Sequence, residues 1–203
     1  MSTPQAGRAP EPHIEPVTLA DYRRKTAINR LGLWLFLVSD AFVFGGLFVA
    51  RFYLYGAALR PEVDQLVGVV VTAMLLASSF FANRGEISME YGDLKGYFRN
   101  TLITMVLGTL FLLGVVAVEW QIAPYGPGQD ALWSLFYAMT GFHAFHVLTG
   151  LIFLAIVYRN ARKGLYSAER HWPVEAAAVY WHFIDVVWVF FYAALYLIGQ
   201  PPL

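Results

Sequence analysis

The chain has 203 residues, of which 58% are hydrophobic and 14% charged, against roughly 45–50% and about 25% in an ordinary soluble domain. Lys plus Arg equals Asp plus Glu at 14 each, so no net charge recruits nucleic acid or makes a solvating tail. Without cysteine, disulfides, thiolate zinc, iron–sulfur ligation and a cysteine nucleophile are excluded, and an integral membrane protein is what the composition leaves.

Residues 1–30 form a proline-containing arm followed by the polar, basic segment Asp21–Arg30. No apolar run precedes Leu31, so this stretch does not read as a secretory signal. It is expected to be a mobile cytoplasmic arm with a short interfacial segment, ahead of a transmembrane domain over 31–203. From Leu31 onward, apolar runs long enough for a ~30 Å hydrocarbon core recur at about Leu31–Tyr55, Leu66–Asn83, Thr101–Ile122, Leu132–Tyr158 and Ala177–Ile198. Runs of this length are too long for barrel strands, and backbone in lipid must satisfy itself, so each predicts a helix. The fold class is therefore an all-α membrane bundle of five spans. The breaks at Arg60-Pro61-Glu62, Glu90–Asp93, Pro124–Gly128 and Arg159–Pro173 are poor candidates for burial in lipid.

Twelve basic residues fall on one side of these spans. They are Arg8, Arg23, Arg24, Lys25 and Arg30 in the arm, Arg84, Lys95 and Arg99 at the second connection, and Arg159, Arg162, Lys163 and Arg170 at the fourth. Only Arg51 and Arg60 fall on the other. The asymmetry predicts a cytoplasmic N-terminus and an external C-terminus. No internal repeat supports an inverted-repeat transporter.

Asp40, Glu119, His143, His146, His182 and Asp185 lie inside apolar spans, where such residues are costly and so point to a function or a partner. At 1.5 Å per residue, Asp40, His146 and Asp185 share a stratum roughly 12–18 Å deep, with Glu119 apart near the external end of span three. His143 and His146 are three residues apart and share a face, as do His182 and Asp185. These histidines read either as metal or haem ligands or as interhelical hydrogen-bonding groups, which are common in bundles; the second reading is the heavier. Asp40 has no Lys or Arg close in sequence. It reads as a proton-handling or reactive carboxyl, or as a neutral acid bonded to a neighbouring helix. Gly45-Gly46 and Gly141 with Gly150 are expected to permit close helix approach, and Trp133, Tyr137, Trp172 and Tyr180 to serve packing and interfacial belts. No phosphate loop, nucleophile elbow or dinucleotide fingerprint occurs, and no catalytic constellation is visible.

Four segments carry a resemblance. Thr140–Gly150 (TGFHAFHVLTG) and Glu175–Trp188 (EAAAVYWHFIDVVW) closely resemble signature segments of subunit 3 of the haem-copper oxidases. Val38–Phe44 and Ser88-Met89-Glu90 are similar to two shorter motifs of that family, and all four occur in its order between about Leu31 and Gly199. The chain looks like the five-helix bacterial form, which lacks the two extra N-terminal helices of the seven-helix members. Asp40 stands where many cytochrome c oxidases have glutamate. Quinol oxidase relatives also place aspartate there, whereas the Glu175–Trp188 segment looks more like the cytochrome c branch.

The resemblance implies an accessory subunit that binds no haem or copper itself. Those cofactors would lie in partner subunits of a respiratory complex in a bacterial cytoplasmic (inner) membrane. It implies packing against oxidase subunit 1, phospholipid held in a cleft, and support for sustained proton uptake. Arg159 matches an arginine resembling the family's lipid-headgroup ligand, at a position where bidentate bonds to a phosphate are feasible. The alternatives are a quinol oxidase subunit 3, a subunit of a nitric-oxide-reducing complex, an independent membrane redox enzyme using His143, His146 and His182 as ligands, and a proton or ion carrier switched by Asp40.

Overall fold

The computed structural model describes residues 18–201. Five helices are long and apolar enough to cross a membrane: α1 (Leu19–Tyr55), α2 (Gln65–Glu90), α3 (Leu94–Ile122), α4 (Ala131–Arg162) and α5 (Trp172–Leu197). The first four run beyond the apolar stretches to a polar N-cap. Thr18 and Asp21 make a reciprocal capping box for α1. Asp64, Asp93 and Asp130 accept first-turn backbone N–H groups of α2, α3 and α4. The segment up to Arg30, expected as an interfacial element, thus runs without a break into the first span; residues 1–17 of the arm lie outside the described residues.

The connections are short. Between α2 and α3 the chain reverses at Tyr91–Asp93, where Gly92 takes a positive φ of 76° that an L side chain rarely adopts. Asp93 N–H donates to the Ser88 carbonyl and its side chain caps Gly96 N–H, so Ser88–Asp93 is a hinge between two antiparallel helices.

The core sits on α4 and α5. Met139, Val147, Trp181, Ile184, Trp188 and Phe191 are almost wholly buried. Close approach is made by Gly150, as expected, and by glycines outside the expected set, Gly68 and Gly108 among them. A methyl group on Gly68 would meet the Tyr196 ring, and one on Gly108 or Gly150 the Trp181 indole. At Gly45 and Gly46 a methyl group would have no atom of another helix within 4 Å, so the close contact expected there is not made within this chain. Trp133 and Tyr180 are buried, in line with the packing expected of them. The Tyr180 hydroxyl lies 2.9 Å from Thr149 Oγ1.

Helix α1 is the least buried span and rests mainly on α4 and α5. Phe42 and Tyr53 are 77% and 86% exposed. At its far end Arg51, which by sequence reads as an external charge, is wholly buried. It donates to the carbonyls of Gly56, Leu59 and Ile198. The guanidinium thereby sits on the C-terminal ends of two helices, where the backbone dipoles favour a cation, and locks the α1–α2 loop to the end of α5. A short parallel bridge between Leu59 and Gln200 completes the clasp, with Arg60 N–H donating to the Gln200 carbonyl and Gln200 N–H to that of Ala58.

Arg51→Ala strips donors from three carbonyls and should cost about 2–4 kcal/mol, read as a lowered midpoint for heat-induced loss of monodispersity in detergent. Arg51→Lys, which lacks the planar fork, should recover only part of this. An unchanged midpoint in Arg51→Ala would remove the clasp from the account.

Candidate functional site

The sequence-predicted polar residues separate into small interhelical contacts. Asp40 projects from α1 toward α4, with Oδ2 3.2 Å from His146 Nε2. The approach lies off the axis of a good hydrogen bond, since Asp40 Oδ2 has no hydrogen-bond partner; it is a close electrostatic contact. The His146 tautomer follows from its other nitrogen. Nδ1 lies 2.7 Å from the Phe142 carbonyl, which can only accept, so Nδ1 bears a proton. Nε2 then faces the Asp40 carboxyl. Phe44 and Phe142 pack on the imidazole at ring-centroid distances of 4.8 and 4.7 Å, walling the pair with apolar rings.

His143, one turn earlier on α4, points elsewhere. It is fully buried, its Nε2 donates to the Ile184 carbonyl of α5 at 3.1 Å, and its ring lies 4.8 Å from that of Trp188. His182 of α5 turns to α2, with Nδ1 2.5 Å from Ser79 Oγ. Asp185 is buried and its oxygens have no hydrogen-bond partner. It is paired neither with His182 nor with Asp40, so carboxylates and histidines that share a helix face in sequence take different neighbours. Glu119 lies at the far end, where the Tyr196 hydroxyl of α5 donates to Oε1. Both partners sit in π-helical stretches, Gly114–Glu119 within α3 and Ala193–Leu197 within α5. Arg159 is exposed in the last turn of α4 and belongs to neither of the two ion pairs found among the described residues.

Three contacts had no sequence signal. The indole N–H groups of Trp181 and Trp188 donate to Ser78 and Thr72 of α2, each at 2.9 Å. Arg30 forms a bidentate pair with Glu175, Nε to Oε1 at 2.9 Å and Nη2 to Oε2 at 2.8 Å, with its guanidinium 5.6 Å from the Trp172 ring centroid. Glu175 opens one of the resembling segments, and through this pair it holds the start of α1 against the start of α5.

The arrangement suits helix docking better than ligation. The three histidines spend a nitrogen each on Ile184, Phe142 and Ser79. Among the described residues no three His, Cys, Asp or Glu side chains come together in a metal-holding group. What the fold and these contacts define is an all-helical, five-span integral membrane protein whose polar groups join its helices.

The chain belongs to the family of cytochrome c oxidase subunit III, whose model matches residues 22–200, and it is a subunit of a haem-copper oxidase. It is 37% identical over 176 residues to cytochrome c oxidase subunit 3 of Thermostichus vulcanus, covering 84% of this chain and 87% of that one. The Synechocystis protein of the same name is 34% identical over 179 residues, covering 84% and 76%. That of Bos taurus is 34% identical over 184 residues, covering 84% and 70%. Membership brings this chain together with the other subunits of an oxidase complex, and not with free-standing redox enzymes.

Asp40→Leu removes the acid that faces His146 and should weaken seating of α1 by about 0.6–2 kcal/mol, seen as protease cleavage of the α1–α2 loop at lower detergent stress. Asp40→Asn keeps size and polarity and should resist like the parent. Equal sensitivity of both variants would assign the effect to charge instead.

Proposed function

We propose that this chain is the accessory, metal-free subunit 3 of an oxidase of the cytochrome c type, packed on subunit 1, with haem and copper held in partner subunits. Its lipid-carrying role rests on one observation above others. The seam between α1 and α5 holds two apolar cavities, of about 310 Å³ beside Phe44, Phe48 and Phe190 and about 390 Å³ beside Trp34, Leu37 and Val179. Hydrocarbon chains suit such walls. Arg159, exposed at the end of α4, is proposed to hold a phospholipid headgroup. The exposed apolar side of α1 is the surface proposed to meet subunit 1 and lipid together.

For membrane placement, we take the basic asymmetry as the guide: residues 1–30 form a cytoplasmic arm and interfacial segment, the helical domain follows in a bacterial cytoplasmic membrane, and the C-terminus is external. Support of proton uptake is proposed to be indirect. Asp40 faces His146 within an aromatic enclosure, which favours a structural role for the carboxyl over obligatory transfer. The quinol oxidase reading is kept as a second one for the sake of Asp40 itself.

Arg159→Ala should lower the phospholipid retained by the purified oxidase while leaving haem content unchanged; unaltered retention would remove the headgroup site. Protease added from outside sealed cells should reach the C-terminus and spare the N-terminal arm; termini on one side would exclude five spans. In reconstituted oxidase carrying Asp40→Asn, the proton-to-electron ratio should stay at the parental value, and its collapse with the subunit still bound would make Asp40 a direct proton carrier.

A further inference from the structure

We infer that the cavity at the Glu119 end of the bundle is a binding site for a primary ammonium group borne on a short alkyl stem. The cavity has a volume of about 450 Å³ and is bounded by the approach to α2 (Glu62, Val63, Asp64), the end of α3 (Glu119, Ile122) and Trp133 of α4. It lies at the end of the molecule opposite Arg159.

Glu119 is the residue that calls for a ligand. It is only 2% exposed, yet it lines this cavity. The Tyr196 hydroxyl takes Oε1, while Oε2 has no hydrogen-bond partner. A buried carboxyl oxygen without a donor is costly, so a donor arriving through the cavity is the chemistry that completes it. The π turn ending in Glu119 and the π turn containing Tyr196 meet at this bond, and such interruptions in otherwise regular helices are frequent at functional positions.

Charge and shape select the donor. The lining carries three carboxyl side chains, Glu62, Asp64 and Glu119, and no Lys, Arg or His, so its field favours a cation. Glu62 and Asp64 are exposed, at the rim. Asp64 Oδ1 is committed to Leu66 and Val67 N–H, at 2.8 and 3.0 Å, which leaves Oδ2 for an incoming group. A directly coordinated metal ion fits poorly. It would need several converging oxygens, and no such group exists among the described residues. An ammonium needs less: its three N–H donors can be shared between Glu119 Oε2, the rim carboxylates and water. The methylene stem finds Val63 and Ile122, and Trp133 contributes an aromatic wall of the kind cations favour. The same chemistry is offered by a free small amine and by a lysine side chain of an adjoining polypeptide.

The test uses the intact oxidase in mild detergent with n-butylammonium as probe and n-butanol as its neutral counterpart. Saturation-transfer NMR should show saturable transfer to the ammonium methylenes and none to butanol. Apparent affinity should fall by about tenfold or more in Glu119→Gln, which retains an acceptor for Tyr196, and by a smaller factor in Asp64→Asn, which retains the helix cap. That result supports the site with a free amine as its source. If a lysine of a neighbouring subunit already fills it, the free amine will show no transfer. A water-soluble carbodiimide should then join the Glu119 peptide to a lysine peptide of that neighbour, detected by mass spectrometry. Equal behaviour of butylammonium and butanol, undiminished transfer in Glu119→Gln, or neither transfer nor a Glu119–lysine product would overturn the proposal.

Discussion

The docking of α1 is the constraint on which the rest of the structure depends. In a bilayer, lipid is as apolar as leucine, so an apolar helix gains little by leaving it for a protein surface. Between Arg30 and Tyr55 the sequence of α1 carries three charged residues, Arg30, Asp40 and Arg51, and each is spent on a contact with another part of the chain. Arg30 pairs with Glu175 at one end, Asp40 faces His146 at mid-depth, and Arg51 grips Gly56, Leu59 and Ile198 at the other. Asp40 and Arg51 lie about three turns apart and so project from nearly the same face. Those ties hold in place a helix that otherwise shows most of its surface to whatever surrounds it.

The contacts differ in worth. The Arg30–Glu175 pair is half exposed on its arginine side, and such pairs add ~0–1 kcal/mol. Arg51 is fully buried and has no carboxylate among its hydrogen-bond partners; carbonyls at helix ends supply the negative field instead. Removing a buried charge's partners costs more than trimming an exposed pair, so the far end is the firm anchor and the near end the soft one. The seam between them stays open enough to leave the two apolar cavities along α1 and α5.

Much of this was legible in the sequence, and the boundary of legibility is physical. Length and apolarity announce a span because lipid imposes one rule on every residue of it; five runs therefore gave five helices in the right order. The helix starts were harder. Thr18, Asp64, Asp93 and Asp130 are ordinary capping residues, but they lie beyond the apolar runs, where composition no longer distinguishes helix from loop. Partners were not legible. His143 donates to a backbone carbonyl 41 residues away, and a carbonyl has no letter in the sequence. Arg51 counted as one more charge outside the membrane, because its burial depends on where the ends of α1 and α5 meet. Of the glycines, Gly150 closes a motif and meets Trp181, whereas Gly68 and Gly108, which receive Tyr196 and Trp181, stand without one.

The motif segments also divide the labour of the fold. Thr140–Gly150 and Glu175–Trp188 supply the buried centre: Thr140, His143, Val147, Trp181, Ile184 and Trp188 are all interior. Several polar groups there are bonded to the backbone or to small hydroxyls of α2, as with His143 on the Ile184 carbonyl, Trp181 on Ser78 and Trp188 on Thr72. Such short, directional bonds leave α2, α4 and α5 few alternative registers, since a shifted register would strand indole N–H groups in an apolar interior. Helix α1 has the opposite design, with wide apolar exposure and contacts spaced along its length. The fold is thus a packed body formed by α2 to α5 with a helix pinned to it at intervals. The body is tied by interior bonds, while the pinned helix keeps most of its apolar surface outward.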